Sequence, residues 1–428
     1  MTRRSFSMRA ASVPMAVILN LLTQAGVGQA QPAAEPVEQL VARALARAPS
    51  IAARRTRIDA ATTALAASDA LPDPMVEFEY RAGGFPRYTI GTEPGSMLGA
   101  SVRQSLLSTG RRASRRAVAD AEIDQSLADL TFWATTLATS VRTLYARLFA
   151  IDRERETLED ARELLKMLEA TATARYAAGE SDQASVLRVQ LEQSRLGERI
   201  ADLENDRVAV QAALNRLMDE PPETQLSTAR ELPSPAAETG TAAGRISLDG
   251  SPEIAVRKAQ IAVASERVAA AKQELRPSWS VGVGLFWQGG WDRMATFNVG
   301  VELPFWKKRK ELPLIAAAEH RKRAAELDLA DTSAGLQAEV LRLVEARKTA
   351  EAQIGRYESA ILPQNSAALD ATRTSYLVGR GDFVSVLEEF RNWIEIRVGL
   401  ARRQADRYAA EVRLAALLAP QTGAMSAK

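Results

Sequence analysis

Residues 175–187 read Arg-Tyr-Ala-Ala-Gly-Glu-Ser-Asp-Gln-Ala-Ser-Val-Leu, and residues 375–387 read Ser-Tyr-Leu-Val-Gly-Arg-Gly-Asp-Phe-Val-Ser-Val-Leu. At a spacing of 200 they share Tyr176/Tyr376, Gly179/Gly379, Asp182/Asp382 and the run Ser-Val-Leu. Pro49-Ser50-Ile51-Ala52 matches Pro252-Glu253-Ile254-Ala255, and Pro74 matches Pro277, at a spacing of 203. An offset that drifts by so little marks loop insertions in a duplicated plan. The chain therefore reads as two related halves, 31–218 and 251–418. Between them lies a segment rich in Pro, Glu, Thr, Ala and Gly, 219–250, and a short tail follows at 419–428.

Each half opens on an Ala/Arg-rich helical pattern, 37–70 and 252–275, that ends at a proline. The period then switches to two. Trp279, Val281, Val283, Leu285 and Trp287 alternate with serine and glycine. Ala295, Phe297, Val299, Val301 and Leu303 alternate with Thr296, Asn298, Gly300 and Glu302. These runs predict strands 278–287 and 295–304 joined by a short Gly-rich loop. The first half repeats the pattern more weakly in 75–81 (Val76, Phe78, Tyr80) and 97–106 (Leu98, Ala100, Val102).

Strands with one apolar and one polar face suit a transmembrane barrel, with lipid on one side and water on the other. Four of the six tryptophans, Trp279, Trp287, Trp291 and Trp306, lie in or beside the second hairpin, as an interfacial girdle requires. Four strands cannot close a barrel, since about eight is the working minimum. Open edges in lipid would leave backbone groups unpaired. Several chains must therefore share one barrel.

The remainder predicts long helices, 111–176 and 182–217 in the first half and 311–376 and 382–417 in the second. From Ile123 the apolar positions run Leu127, Leu130, Ala134, Leu137, Val141, Leu144, Leu148 and Ile151, in steps of four and three that specify a left-handed coiled coil. The returning helices carry Val186, Leu187 and Leu191, and Val386, Leu387, Phe390 and Ile394, as apolar stripes. Pro363 is expected to kink the helix that contains it. The repeated Tyr-x-x-Gly-x-x-Asp falls where each long helix turns back. Gly179 and Gly379 can take the left-handed conformation that ends a helix, and Asp182 and Asp382 can cap the next one.

The N-terminus carries Arg3, Arg4 and Arg9, an apolar stretch over 13–22, and small residues ending at Ala30. That is a secretory leader, 1–30, of the ordinary basic or the twin-arginine kind. Export, and near neutrality once the leader is removed, exclude a nucleic-acid partner. With no cysteine and one histidine, His320, in a charged helical stretch, there is no disulfide, thiolate site or metal-ligand spacing. No phosphate loop and no nucleophile-base pattern occur. The chain reads as a non-enzyme without a cofactor or resident metal.

The duplicated plan, the paired amphipathic hairpins, and the turns Arg175-Tyr176-Ala177-Ala178-Gly179 and Tyr376-Leu377-Val378-Gly379 together resemble the TolC family of outer-membrane efflux channels, over essentially the whole mature chain. The resemblance implies a homotrimer in a Gram-negative outer membrane, with a shared twelve-stranded barrel and a helical tunnel crossing the periplasm. It implies that Ala178, Gly179 and Glu180, with Val378, Gly379 and Arg380, form a periplasmic tip that docks an adaptor protein bound to an inner-membrane pump of the RND type. The family closes its tip with carboxylates and polar links. By position these fall to Tyr376, Glu388, Ser185 and Ser385, the two serines standing where aspartates are expected.

Pro72-Asp73-Pro74 and the basic runs after each second strand resemble the cobalt-zinc-cadmium resistance branch. The runs are Arg111, Arg112, Arg115 and Arg116, and Lys307, Lys308, Arg309 and Lys310. Cations at the start of a helix oppose its dipole, so outside partners are expected to offset them, and phospholipid phosphates would do so. Drug efflux or type I protein secretion through the same channel, a periplasmic coiled-coil adaptor, and a structural coiled-coil protein of the envelope are the alternatives.

Overall fold

The computed structural model describes residues 35–83, 86, 87, 89–93, 95–233, 248–289 and 293–418. The leader at 1–30, the tail at 419–428 and Trp291 lie outside the described residues. In chain order the elements are α1 (Val37–Arg47), α2 (Pro49–Ser68), β1 (Met75–Arg81), β2 (Met97–Leu106), α3 (Thr109–Ala177), α4 (Gln183–Leu217), α5 (Pro252–Gln273), β3 (Ser278–Trp287), β4 (Met294–Glu302), α6 (Glu311–Arg356), α7 (Leu362–Leu377) and α8 (Phe383–Leu418).

The helix α3 is the spine. At about 1.5 Å per residue its length is on the order of 100 Å, and it packs against α1, α2, α4, α5 and α8. Its N-terminus is capped by Ser108, whose hydroxyl accepts from the Arg111 amide at 3.3 Å. The coiled-coil seam closes only from Leu137 onward. Leu137, Val141, Leu148, Ile151, Leu158, Leu165, Leu168 and Ala172 are buried, whereas Leu127 is exposed and Ile123 half-buried. From Phe383 to Val398, α8 buries Val386, Leu387, Phe390, Ile394 and Val398 in the same core.

Several expectations need correction. The helix expected over 37–70 is two helices. Ala48 adopts an extended ψ of 122°, and Pro49, which has no amide hydrogen to give, starts α2. The strand expected over 295–304 stops at Glu302, just before Pro304. The apolar side of α4 is Val189, Leu196, Leu203, Val210 and Leu214, while Leu187 and Leu191 are exposed. A run of apolar residues in a helix does not by itself say which of its faces meets the neighbour.

The long helix expected over 311–376 is interrupted by a π-helical turn, Tyr357–Ile361. There the Leu362 amide reaches back five residues to the Tyr357 carbonyl. Widening the turn just ahead of Pro363 fits the ring where a normal helix would clash with it.

The segment after α4 is not a free linker throughout. Arg207 donates to the Leu226 carbonyl at 2.8 Å, and Asn215 donates to the Pro222 and Thr224 carbonyls. The Ala229 amide donates to the Tyr145 hydroxyl at 2.9 Å. These bonds strap residues 219–233 to the bundle.

The four strands form one antiparallel sheet in the order β1-β2-β3-β4. Its register places Val76 opposite Val102, Val102 opposite Val283, and Val283 opposite Phe297, so the apolar positions of all four strands share one face. Among the described residues no helix is long and apolar enough to cross a membrane.

Candidate functional site

Two regions gather the predicted residues, the turns where the long helices reverse and the sheet with its flanking cations. The first turn is a Schellman motif. Gly179 has φ 72°, its amide donates to the Tyr176 carbonyl at 3.0 Å, and the Glu180 amide donates to the Arg175 carbonyl at 2.9 Å. The second is built the same way: Gly379 has φ 78°, and the Gly379 and Arg380 amides bond to the Tyr376 and Ser375 carbonyls. Only glycine takes such a φ without a steric cost.

The aspartates cap the returning helices. Asp182 accepts from the Ser185 amide at 3.1 Å and from its hydroxyl at 2.7 Å. Asp382 accepts from the Ser385 amide at 2.9 Å and the hydroxyl at 2.8 Å. The Ser185 hydroxyl and amide hold the Asp182 carboxyl below its ordinary range, and the Ser385 amide, then its hydroxyl, do the same for Asp382. Ser185 and Ser385 are thus engaged within the caps of their own helices.

Ala178, Gly179, Glu180, Val378, Gly379 and Arg380 are all exposed. The two tyrosines of the motif differ. Tyr176 is 47% exposed and Tyr376 only 3%. The reason is Arg175. Its guanidinium lies 4.8 Å from the Tyr376 ring centroid, donates to the Tyr376 carbonyl, and stands 3.7 Å from Glu180. The ring's other side meets Phe383 edge-on at 5.5 Å. Arg175 therefore ties the end of one hairpin to the end of the other. Glu388 is exposed on α8; the bond from Arg391 to Glu192 raises the Arg391 pKa against the opposing effect of burial, and the Glu388 charge adds least to that rise.

Arg175 stands inside the turn motif, but nothing local in the sequence assigns it this role. Nor does anything local mark the ionic junction farther along the bundle, where buried Glu154 of α3 accepts from Arg199 of α4 at 2.8 Å and from Arg402 of α8 at 2.9 Å. Arg199 also bonds Glu395 at 2.5 Å. Both sets join residues far apart in sequence, and helix periodicity carries no sign of such pairs.

In the sheet, Val76, Phe78, Tyr80, Leu98, Val102, Trp279, Val283, Leu285, Trp287, Phe297 and Val301 are all exposed on the apolar face. Trp279 and Trp287 lie at opposite ends of β3, and eight residues of strand separate them by about 26 Å. The other face is polar, with Glu77 accepting from Arg103 at 3.4 Å and Glu302 from Ser278 at 3.0 Å. Among its few apolar residues, Phe286 is buried on a glycine floor. A Cβ at Gly99 would sit 2.3 Å, and one at Gly284 2.8 Å, from the Phe286 ring. The sheet is open, with β1 and β4 as edges.

The two basic runs have different surroundings. Arg111 donates to the Gln273, Glu274 and Arg276 carbonyls at 3.3, 3.2 and 2.8 Å, closing the C-terminus of α5. Arg112 donates to the Asp69 carbonyl just past α2 at 2.7 Å. The offset expected from lipid is supplied to these two by helix C-termini of the same chain. Lys307, Lys308 and Arg309 are exposed and have no ion pair among the described residues, and Lys310 stands 3.9 Å from Glu311. Trp306 is 72% exposed beside them. Among the described residues no cluster of His, Cys, Asp and Glu could hold a metal ion.

The family model described as outer membrane efflux protein matches residues 40–219 and 245–419. No curated protein matches the chain by sequence. Among solved structures, the outer membrane protein VceC of Vibrio cholerae superposes with a TM-score of 0.75 at 17% identity, covering 90% of this chain and 96% of VceC. CusC, described in terms of transmembrane channel formation, gives 0.75 at 16% identity, with 90% and 92% covered. The Campylobacter jejuni CmeC outer membrane channel gives 0.73 at 13%, with 90% and 87% covered.

Proposed function

The chain belongs to the outer membrane efflux protein family, whose channels are non-enzymatic transport ducts, and from that premise we propose that it is the exit channel of a tripartite efflux system. Three copies share one barrel, each giving four strands, and their helices form a tunnel through the periplasm. The observation that carries this reading is the sheet, with a continuous exposed apolar face and two unpaired edges. In lipid such edges must be paired, and copies of the same sheet meeting β4 to β1 pair them all. Outer-membrane fractionation and planar-bilayer conductance test the reading. A protein found only in the soluble periplasmic fraction would be an adaptor or envelope coiled coil instead.

At the opposite end, the exposed turns at 178–180 and 378–380 dock the helical hairpins of the adaptor, which couples the duct to an inner-membrane pump of the RND type. Glu388 lies at the aperture, supplying one carboxylate per copy to an acidic ring that attracts cations, and Tyr376, buried between Arg175 and Phe383, braces the turn beside it. The cargo is divalent heavy-metal cations, a reading supported by the likeness of Pro72-Asp73-Pro74 to the metal branch and by the exposure of Glu388. Growth of a deletion strain, with and without complementation, across zinc, cobalt, cadmium, nickel, copper and hydrophobic drugs tests it. Sensitivity confined to drugs would keep the channel and discard the metal cargo.

A further inference from the structure

The end of the sheet nearest the helices is defined by its register, which sets Leu106 opposite Trp279 and Trp279 opposite Val301. The chain leaves β4 at this end and runs through Leu303, Pro304, Phe305 and Trp306 into Lys307-Lys308-Arg309-Lys310 before α6 begins. Leu303, Phe305 and Trp306 are exposed, Phe305 at 81%, and they extend the apolar face beyond the last ladder bond. A shallow groove there is lined by residues 304–309 alone.

We propose that the segment 305–309 binds the headgroup of an anionic phospholipid, in the leaflet that meets the helical end of the sheet. The proposal rests on the channel reading above. Lys307, Lys308 and Arg309 are cations without an in-chain anion among the described residues, at the mouth of a helix whose dipole opposes them. Their counterparts Arg111 and Arg112 have the same local setting and satisfy it internally, at the ends of α5 and α2. The nearby carboxylates do not reach these three: Glu311 is buried, with one oxygen 3.9 Å from Lys310 and the other without a partner, and Glu302 accepts from Ser278.

A free phosphate would answer the charges but would leave Phe305 and Trp306 in water. A phospholipid answers both, its phosphodiester on the cations and its glycerol and upper acyl chain on the rings. The site occurs once per chain, because the first half carries no exposed aromatic beside its arginines.

The test uses the full-length protein in maltoside micelles, titrated with dioctanoyl phosphatidylglycerol, dioctanoyl phosphatidylcholine or inorganic phosphate and read as bound lipid by native mass spectrometry. Each cation removed is expected to weaken phosphatidylglycerol binding about fivefold, so Lys307→Gln/Lys308→Gln/Arg309→Gln together lose on the order of a hundredfold. Lys308→Gln alone gives the single step should the triple variant misfold, and Arg321→Gln, an exposed cation elsewhere, changes nothing. A change below about twofold in Lys308→Gln or threefold in the triple variant overturns the site. So does equal binding of phosphatidylcholine, or displacement by equimolar inorganic phosphate. Wild-type conductance in planar bilayers separates the two readings: a conducting channel with unchanged lipid binding in the variants refutes this site alone, and a wild type that never conducts refutes the channel.

Discussion

Replacing Arg175 with methionine should open the second turn without unfolding the bundle. The side chain is only 17% exposed, and three contacts are lost together. The charge-assisted bond to the Tyr376 carbonyl contributes about 1.5–3 kcal/mol, and the stacking on the buried Tyr376 ring about 1–2 kcal/mol. The pair with the largely exposed Glu180, at 3.7 Å, adds at most about 1 kcal/mol. Methionine recovers some apolar packing on the ring, which leaves a net loss near 3 kcal/mol, roughly a hundredfold in the local opening equilibrium.

Hydrogen exchange of the reconstituted protein reads this directly. The amides of Arg380 and Gly381, which both bond the Ser375 carbonyl, should lose about a hundredfold in protection, while amides around Leu158 in the middle of α3 keep theirs. Loss below about threefold at 375–381 would refute the clamp, as would equal loosening in mid-helix. Tyr376→Phe sharpens the test, because the Tyr376 hydroxyl is buried without a hydrogen-bond partner. Removing it relieves about 1–3 kcal/mol of unrewarded desolvation, so protection at the turn should hold or rise. If Tyr376→Phe loosens the turn as Arg175→Met does, the hydroxyl rather than the ring and carbonyl is the anchor.

Gly379→Trp should abolish efflux while the trimer still assembles, since a Cβ there meets Arg175 at an ordinary 3.5 Å and the positive φ costs only about 1–2 kcal/mol; unchanged efflux would overturn the docking assignment. The caps at Asp182 and Asp382 have lowered folded pKa values. Their stabilisation is therefore complete above the unfolded value of about 3.9 and is lost as pH falls through the folded values. Proteolysis at the tip should accelerate over that acid range, and Asp182→Asn with Asp382→Asn should flatten the acceleration. Glu154→Ala removes the buried carboxylate that joins α3 to Arg199 and Arg402, which stay 32% and 59% exposed and can be rehydrated, and should cost about 1–3 kcal/mol, measured as a lowered urea midpoint; a change under about 0.5 kcal/mol would show that water replaces the carboxylate.

What the sequence made legible follows the reach of each signal. Period two placed the apolar positions on one face of the sheet, because strand geometry fixes alternate side chains on opposite sides whatever the partner is. Gly179, Gly379 and their aspartates were legible because Schellman turns and N-caps close within six residues. The face of α4 was not, since Leu187 and Leu191 satisfy a helical period equally well and only the position of α3 decides that Val189 and Leu196 face inward. The break at Pro49 is masked by the Ala/Arg-rich pattern on both sides of it, since a proline can begin a helix as readily as end one.

The two basic runs show the same limit most plainly. Composition and position after a strand are alike, and the dipole argument correctly demands a partner for each. It does not say where that partner is. For Arg111 it is the C-terminal end of α5, 162 residues away, a contact set by where the second half returns across the start of α3. For Lys307 no helix end arrives. Two runs that began with the same chemistry have thus come to differ through the path of the chain around them, one buttressing the junction of helix and sheet and the other left facing outward. Substituting the first should therefore cost stability, and substituting the second should cost lipid. A melting shift in Arg111→Met that Lys308→Met does not share would establish that division without reference to transport.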